Sequence, residues 1–432
     1  MGKDINKQLK KAEQLSKALQ YKRAAKLFNT VGNEILKLGN YELAKECFFN
    51  AAKCAINEDK LLVGLEFLRN AGNASLLNNN FLEAYEFYKA AFDYIPNLKN
   101  SSDRNFLFIN FSGLSYLCLF VEGRQEEGLS LVKKYKNFVD DAYFKESDLI
   151  KLIKDFTVAT KDKKENYVKK IQKDFEKFKL LEGEINLAKQ ALVIAKTIVS
   201  LKTILTLDKN IYTTNDAINL MVDINTEPLL DIKKNGFYNY SINQLKISKI
   251  SVQLSDNFTF HKKPELPIII QAGLNHQINI TIKPHFQMEK PFIGPIMLTS
   301  ELDEKLKFFY EFSEILYPKL ISPPPTLEVS MKNLRPPLIG QSFPLEILIE
   351  NKSEGDALDL NIEVEFPENL KVMRGTLKKQ IYSLRSNENM KWEISIKPIE
   401  AGDYTIKVKT TFKDPDQNQI GEIKPFPLSI KL

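Results

Sequence analysis

The stretch from residue 21 to residue 100 decides how the first half of the chain is read. Written in blocks of twenty it is YKRAAKLFNTVGNEILKLGN (21–40), YELAKECFFNAAKCAINEDK (41–60), LLVGLEFLRNAGNASLLNNN (61–80) and FLEAYEFYKAAFDYIPNLKN (81–100). An aromatic residue or Leu opens each block: Tyr21, Tyr41, Leu61 and Phe81. A small residue follows at Ala24, Ala44, Gly64 and Ala84, then a bulky one at Phe28, Phe48, Leu68 and Tyr88. Val31, Ala51, Ala71 and Ala91 close the pattern. A fixed period of this kind marks stacked helical repeats, in which each unit buries its apolar face only against its neighbours. Gly39-Asn40 supplies a helix stop and the next helix's N-cap, and Asn78-Asn79-Asn80 does the same one pair later.

Working outward, helical patterning continues to about residue 207 without the strict period, through segments near 104–120, 124–140, 146–158, 163–180 and 184–206. The most apolar run, Ala191 to Leu207, is interrupted by Lys196 and Lys202, and reads as a buried closing helix rather than a membrane span. Near Asp208 period-two alternation replaces the helical period. Strands are expected at 218–224, 245–254, 277–282 and 293–298, while Glu304–Leu316 is compatible with a helix and stays open. Ile321-Ser-Pro-Pro-Pro325 is a stiff linker. Beyond it Leu345, Ile347 and Ile349 alternate with polar residues, as do Ile362, Val364 and Phe366, Trp392, Ile394 and Ile396, and Tyr404, Ile406 and Val408. Turn residues separate these runs, the pattern of an immunoglobulin-like sandwich with Trp392 as its core anchor and Tyr404 placed for a tyrosine-corner contact.

The fold expected is multidomain, α then β: an N-terminal α-solenoid (1–207), a first β-sandwich (208–320) and a C-terminal immunoglobulin-like β-sandwich (326–432). Its 432 residues exceed one ordinary domain. The formal charge of +6 is thinly spread, with +7 over residues 1–200 and −3 over 301–432, and no basic stripe suggests a nucleic-acid partner. Cys47, Cys54 and Cys118 read as buried, reduced thiols, and the polar start carries no secretion signal, so a cytoplasmic location, with peripheral membrane contact as a less favoured addition, is expected.

The segment from Lys22 to Ile95 resembles the helical repeats of the soluble NSF-attachment proteins (SNAPs) and their tetratricopeptide (TPR) relatives. The resemblance is carried by Ala24-Ala-Lys-Leu-Phe28, Val31-Gly-Asn33, Ala44, Ala51-Ala52, Ala71-Gly-Asn-Ala74, Phe81-Leu-Glu-Ala84 and Tyr88-Lys-Ala-Ala91. It implies a helical scaffold that binds coiled-coil partners and recruits a hexameric ATPase. The family's apolar membrane-attachment loop has no counterpart between the first helices here, and strands replace its C-terminal ATPase-contacting region. The last hundred residues resemble CARDB-type immunoglobulin-like modules through Pro344–Asn351, Gly355-Asp-Ala357, Phe366-Pro367 and Gly402-Asp-Tyr404. Such modules are adhesive or spacer units.

No catalytic, cofactor or metal site is expected. His261, His276 and His285 have no metal-ligand spacing around them, and neither phosphate loops nor a nucleophile elbow occur. Asn33, Lys53 and Asn73 recur at one repeat position and are candidates for gripping a partner, although an Asn bonding between packed helices is the commoner arrangement. Residues 161–179 place Tyr167, Ile171, Phe175 and Phe178 on one helical face among eight lysines, which makes Lys163, Lys164, Lys169 and Lys170 candidates for facing anionic lipid. Burial of that apolar face in the helical stack is the preferred alternative. The function expected is non-enzymatic: a protein–protein adaptor for coiled-coil or helical partners in membrane trafficking or remodelling. A structural or adhesive protein, whose solenoid positions the β modules, is the rival.

Overall fold

The computed structural model describes residues 3–234, 242–285 and 288–431. Its first half is helical: α1 (Lys3–Lys17), α2 (Tyr21–Lys37), α3 (Tyr41–Asn57), α4 (Leu61–Leu77), α5 (Phe81–Ala91), α6 (Ser101–Val121), α7 (Gln125–Lys136), α8 (Asp141–Glu146), α9 (Asp148–Lys161), α10 (Glu165–Phe175) and α11 (Glu182–Ser200). The twenty-residue period persists in the backbone. Leu19, Gly39, Asp59 and Asn79, one per connection, all adopt positive φ, between 55° and 76°. Asn40 and Asn80 accept the N–H of Leu43 and Glu83 as N-caps. The small positions Ala24, Ala44, Ala51, Ala71 and Ala84 are fully buried where neighbouring helices meet. Contacts thirty-eight residues apart bring α1, α3 and α5 together: Cys54 with Ser16, Lys45 with Glu83, and Phe49 with Phe87.

Helix gives way to strand earlier than expected. Leu201 turns extended after α11, and Lys202–Leu207 forms β1, paired antiparallel with β3 (Ile218–Asn225). The β-branched Thr203, Ile204 and Thr206 favour this extended partnering over a further helical turn. The stretch left open is also a strand, β9 (Leu306–Phe312): Leu306, Phe308, Tyr310 and Phe312 are buried, and the residues between them are exposed. The lysine-rich helix is shorter than 161–179, being confined to the eleven residues of α10.

The first β-rich region continues with α12 (Pro228–Lys234), β4 (Gln244–Leu254), β5 (Phe258–Lys262), β6 (Ile268–Gln271), β7 (Asn275–Pro284) and β8 (Ile293–Leu302). Its sheets run β1-β3-β7-β5 and β6-β4-β8-β9. A short parallel pair, β2 (Ile211–Thr213) with β10 (Lys319–Ile321), closes its end. The second region comprises β11 (Leu327–Asn333), β12 (Phe343–Asn351), β13 (Ala357–Glu365), β14 (Leu370–Arg374), β15 (Lys378–Leu384), β16 (Asn389–Pro398), β17 (Gly402–Lys413) and β18 (Gln419–Ile430). Its sheets run β11-β12-β16-β14 and β15-β13-β17-β18. With the parallel pair set aside, both regions follow one order, 1-2-6-4 in one sheet and 5-3-7-8 in the other. Pro425 and Pro427 sit on the edge strand β18, where a missing N–H is tolerated.

The two regions differ in where their cores lie. Side chains of the first merge with the helices into one apolar cluster running from Ala12 to Leu320. Tyr310 of β9, 1% exposed, donates to the Leu201 carbonyl at 3.2 Å and hydrogen-bonds Thr203 at 3.1 Å, tying the sheet to the end of α11. Lys307 pairs with Glu122 at 3.0 Å beside a backbone bridge between the same two residues. The expected boundary at 207 therefore does not separate two cores. The second region holds its own cluster, from Leu327 to Ile430. Trp392 is not its anchor: the ring is half-buried at the rim, under Lys379, and buried Ile, Leu and Val fill the centre. Tyr404 does make the expected contact, its hydroxyl donating to the Glu400 carbonyl at 3.0 Å.

Candidate functional site

The repeated helices present equivalent surfaces that the rest of the chain treats differently. On α4 the surface is occupied by the start of α11. Gly183 N–H donates to Asn73 Oδ1 at 2.8 Å, and a Cβ on Gly183 would lie 2.6 Å from the Asn73 carbonyl oxygen. Only glycine allows this approach. One turn earlier on α4, Arg69 donates from Nε to Glu184 Oε1 at 2.7 Å and from a terminal nitrogen to Glu184 Oε2 at 2.6 Å. The same carboxylate accepts the Leu181 N–H at 2.9 Å, and Arg69 also reaches the Lys179 carbonyl at 3.1 Å. Glu184 is fully buried, so its charge is tolerated because the guanidinium fork and a backbone donor satisfy both oxygens. At the far end Gln190 donates to Asn79 at 3.4 Å.

Forty residues earlier, α2 carries the same surface uncovered. Asn29, Asn33 and Leu36 stand where α4 has Arg69, Asn73 and Leu76. Asn73 and Leu76 are buried, whereas Asn33 is exposed and Leu36 half-exposed. Asn33 is held only by its own helix, donating to the Asn29 carbonyl at 2.9 Å. Lys53 belongs to α3, in the other layer, with Nζ 4.0 Å above the Phe49 ring. The three candidates thus do not converge. Asn73 is taken up between helices, Asn33 is exposed on the equivalent face of α2 and bonded to Asn29, and Lys53 stands apart. The Arg69–Glu184 pair has no local signature, because its partners are 115 residues apart.

The lysine candidates are engaged within the chain. Lys163 Nζ lies 4.0 Å above the Tyr310 ring. Lys164 pairs with Asp162 at 3.4 Å, Lys169 with Glu165 at 3.2 Å and Lys170 with Asp155 at 2.7 Å. Val168 and Ile171 are buried, and Tyr167, Phe175 and Phe178 pack against the main core. The apolar side of α10 therefore faces inward. Among the described residues α6 is long and apolar enough to cross a membrane, yet 78% of its apolar window is buried in the core.

The three cysteines are free and buried, and burial pushes the Cys47 thiol up to about 11. His285 Nε2 hydrogen-bonds Thr259 at 2.6 Å, and among the described residues no group of His, Cys, Asp and Glu converges as a metal site would need.

No protein-family model matches the sequence, and no curated protein matches it. Among solved structures it is similar to the red sea bream transglutaminase, at 9% identity and a TM-score of 0.20, over 59% of this chain and 34% of that one. The chain thus spans about a third of that enzyme's length. The matched structure is an enzyme, against the expectation of a non-enzymatic chain, and a likeness of that size assigns no activity here.

Proposed function

We propose that the chain is a protein-interaction adaptor, with a TPR/SNAP-like α-solenoid joined to two immunoglobulin-like sandwiches, that binds a helical segment of a partner across the open face of α2. The observation that supports this is the chain's own use of the equivalent face. On α4, Asn73 receives the first turn of α11, and the same position on α2 offers Asn33 to solvent. A partner helix whose first N–H groups lack partners would find in Asn33 Oδ1 the acceptor that Gly183 finds in Asn73. The coiled-coil-binding resemblance of these repeats makes a trafficking or membrane-remodelling role, in a cytoplasmic setting, the natural context. The immunoglobulin-like reading rests on strand order. Without the fifth strand, each region has sheets 1-2-6-4 and 3-7-8, the ABED and CFG arrangement of constant-type domains.

A photo-crosslinking residue at Asn33 of the full chain should capture a helical or coiled-coil protein that Asn33→Arg no longer binds in direct assay. Equal capture from Lys53 on the other layer would remove the α2 face as the site. A second reading is favoured by the common core of the helices and the first β region, which suits a rigid spacer holding the second region at a set distance. Retained partner binding after deletion of the helices would select that reading.

A further inference from the structure

The shared strand order exposes a gap in one region that the other fills. In the second region the fifth strand, β15, pairs with β13 from Ala357 to Glu363. In the first, the fifth strand, β6, reaches only Gln244–Ile247 of β4, which runs on to Leu254. Among the described residues, β8 is the only strand paired with Lys249–Leu254. Among the described residues no strand pairs with the other edge of that segment, a row of backbone donors and acceptors that can receive one.

Beside this edge lies a cavity of about 350 Å³, lined by Lys249 to Val252 of β4 and by Lys263, Pro264 and Leu266 of the segment before β6. Ile250, Val252, Phe260, Leu266 and Ile280 supply its apolar wall. Phe260 and Leu266 share this lining and are 36% and 42% exposed, an apolar surface open to a partner. Lys249 and Lys263 stand in its lining, with Lys263 Nζ 4.3 Å from the Phe260 ring, and no carboxylate belongs to it. Lys262 is exposed next to Lys263.

We infer that the free edge of β4 receives an extended segment of a partner protein in which apolar residues alternate with Asp or Glu. The backbone of that segment would complete the ladder, its apolar side chains would fill the cavity, and its carboxylates would meet Lys249 and Lys263. Alternation follows from the strand period, which turns every second side chain toward the cavity. Charge decides between this occupant and a second copy of the chain. Two β4 edges laid side by side would crowd the lysines of one copy against those of the other, and like charges across strands repel. Bulges between Ile247 and Lys249 and between Val252 and Leu254 limit the flat stretch to about one short strand, which suits a peptide better than a long self-pairing edge. This inference goes beyond the α2-face reading, and either can fail alone.

The test is fluorescence anisotropy with the full chain and a labelled eight-residue peptide of alternating Glu and Val. Saturable binding is expected, at least about tenfold tighter than that of a Lys–Val peptide and weakened by salt. The exposed double substitution Lys249→Glu with Lys263→Glu should lower affinity about tenfold at unchanged melting temperature and improve Lys–Val binding. N-methylation of alternate peptide amides should abolish binding, because a charge-only contact would ignore it. Asn33→Arg should have no effect, which separates this site from the helical face. Indifference to N-methylation, or equal binding of the Lys–Val peptide, would overturn the inference. A dimer in sedimentation that the double Glu variant dissociates would assign the edge to a second copy and overturn it as well.

Discussion

The two β-rich regions share a strand order and differ in almost everything that surrounds it. In the first, β9 lies against α6 and α11, and Tyr310 and Lys307 bond directly to the helical half. In the second, both sheets close on one core of their own, and among the described residues polar contacts run back to the first region from Glu354 to Asn215 and from Asp416 to the Ser322 N–H. The lesson is that topology and autonomy are separate properties. The same arrangement of strands is expected to fold independently where its sheets bury only each other. It becomes part of a larger unit where one strand's apolar contacts are supplied from outside.

Excision breaks this comparison most severely. A fragment of residues 326–431 is expected to fold alone, with a cooperative thermal transition and dispersed amide resonances. A fragment of residues 202–321 should stay largely unfolded, because its core continues into helices it would lack. Independent folding of 202–321 would show that the shared core is incidental. Next in size is Glu184→Ala in the full chain. It leaves Arg69 and the Leu181 N–H without their common acceptor at a buried point, which costs about 3 kcal/mol. Calorimetry should show the transition of the helices and first β region falling while that of the second region stays in place. Equal shifts in both would mean that the regions unfold as one. Gly355→Ala acts at the joint between them. A Cβ there would overlap the Pro323 carbonyl oxygen, so the linker must shift, at about 1–3 kcal/mol of overpacking. The second region's transition should fall; an unchanged scan would show the linker free to move aside.

The same contrast explains what could be read from residues alone. The helical repeats were legible because each helix buries its face against its immediate neighbours, so the pattern is local and recurs at Tyr21, Tyr41, Leu61 and Phe81. The second region was legible because its strands have one wet and one dry face, as in the strict alternation of β12. The junction was not. Lys202–Leu207 follows an apolar helix without a break, and only its pairing with β3 makes it a strand. Asp303-Glu304 and Lys305 before β9 suited the start of a helix equally well. Trp392 was misplaced because size suggests a central position, whereas its strand carries it to the rim. The α11 clamp was invisible for a different reason: Arg69, Asn73, Gly183 and Glu184 meet only through the tertiary fold. The gap beside β4 depends on where β6 stops, which no local pattern encodes.

The smallest effect is expected at the seventh strand, where the two regions solve one problem differently. At the entry to β17, Tyr404 donates to the Glu400 carbonyl at 3.0 Å. Approaching β8, the first region uses Ser255 instead: its N–H donates to the Phe292 carbonyl at 3.1 Å, and its Oγ accepts the Phe292 N–H at 3.1 Å. Tyr404→Phe keeps the ring, half-buried against the second core, and removes one partly exposed hydrogen bond. The loss should be about 0.5–1 kcal/mol. For a unit of this size that lowers the midpoint by roughly 3–6 °C. The shift should appear only in the second region's transition, because neither the Tyr404 hydroxyl nor the Glu400 carbonyl it bonds lies outside that region. A comparable fall in the first transition would show that the two cores are coupled through the linker, and the autonomy of the second region would then have to be given up.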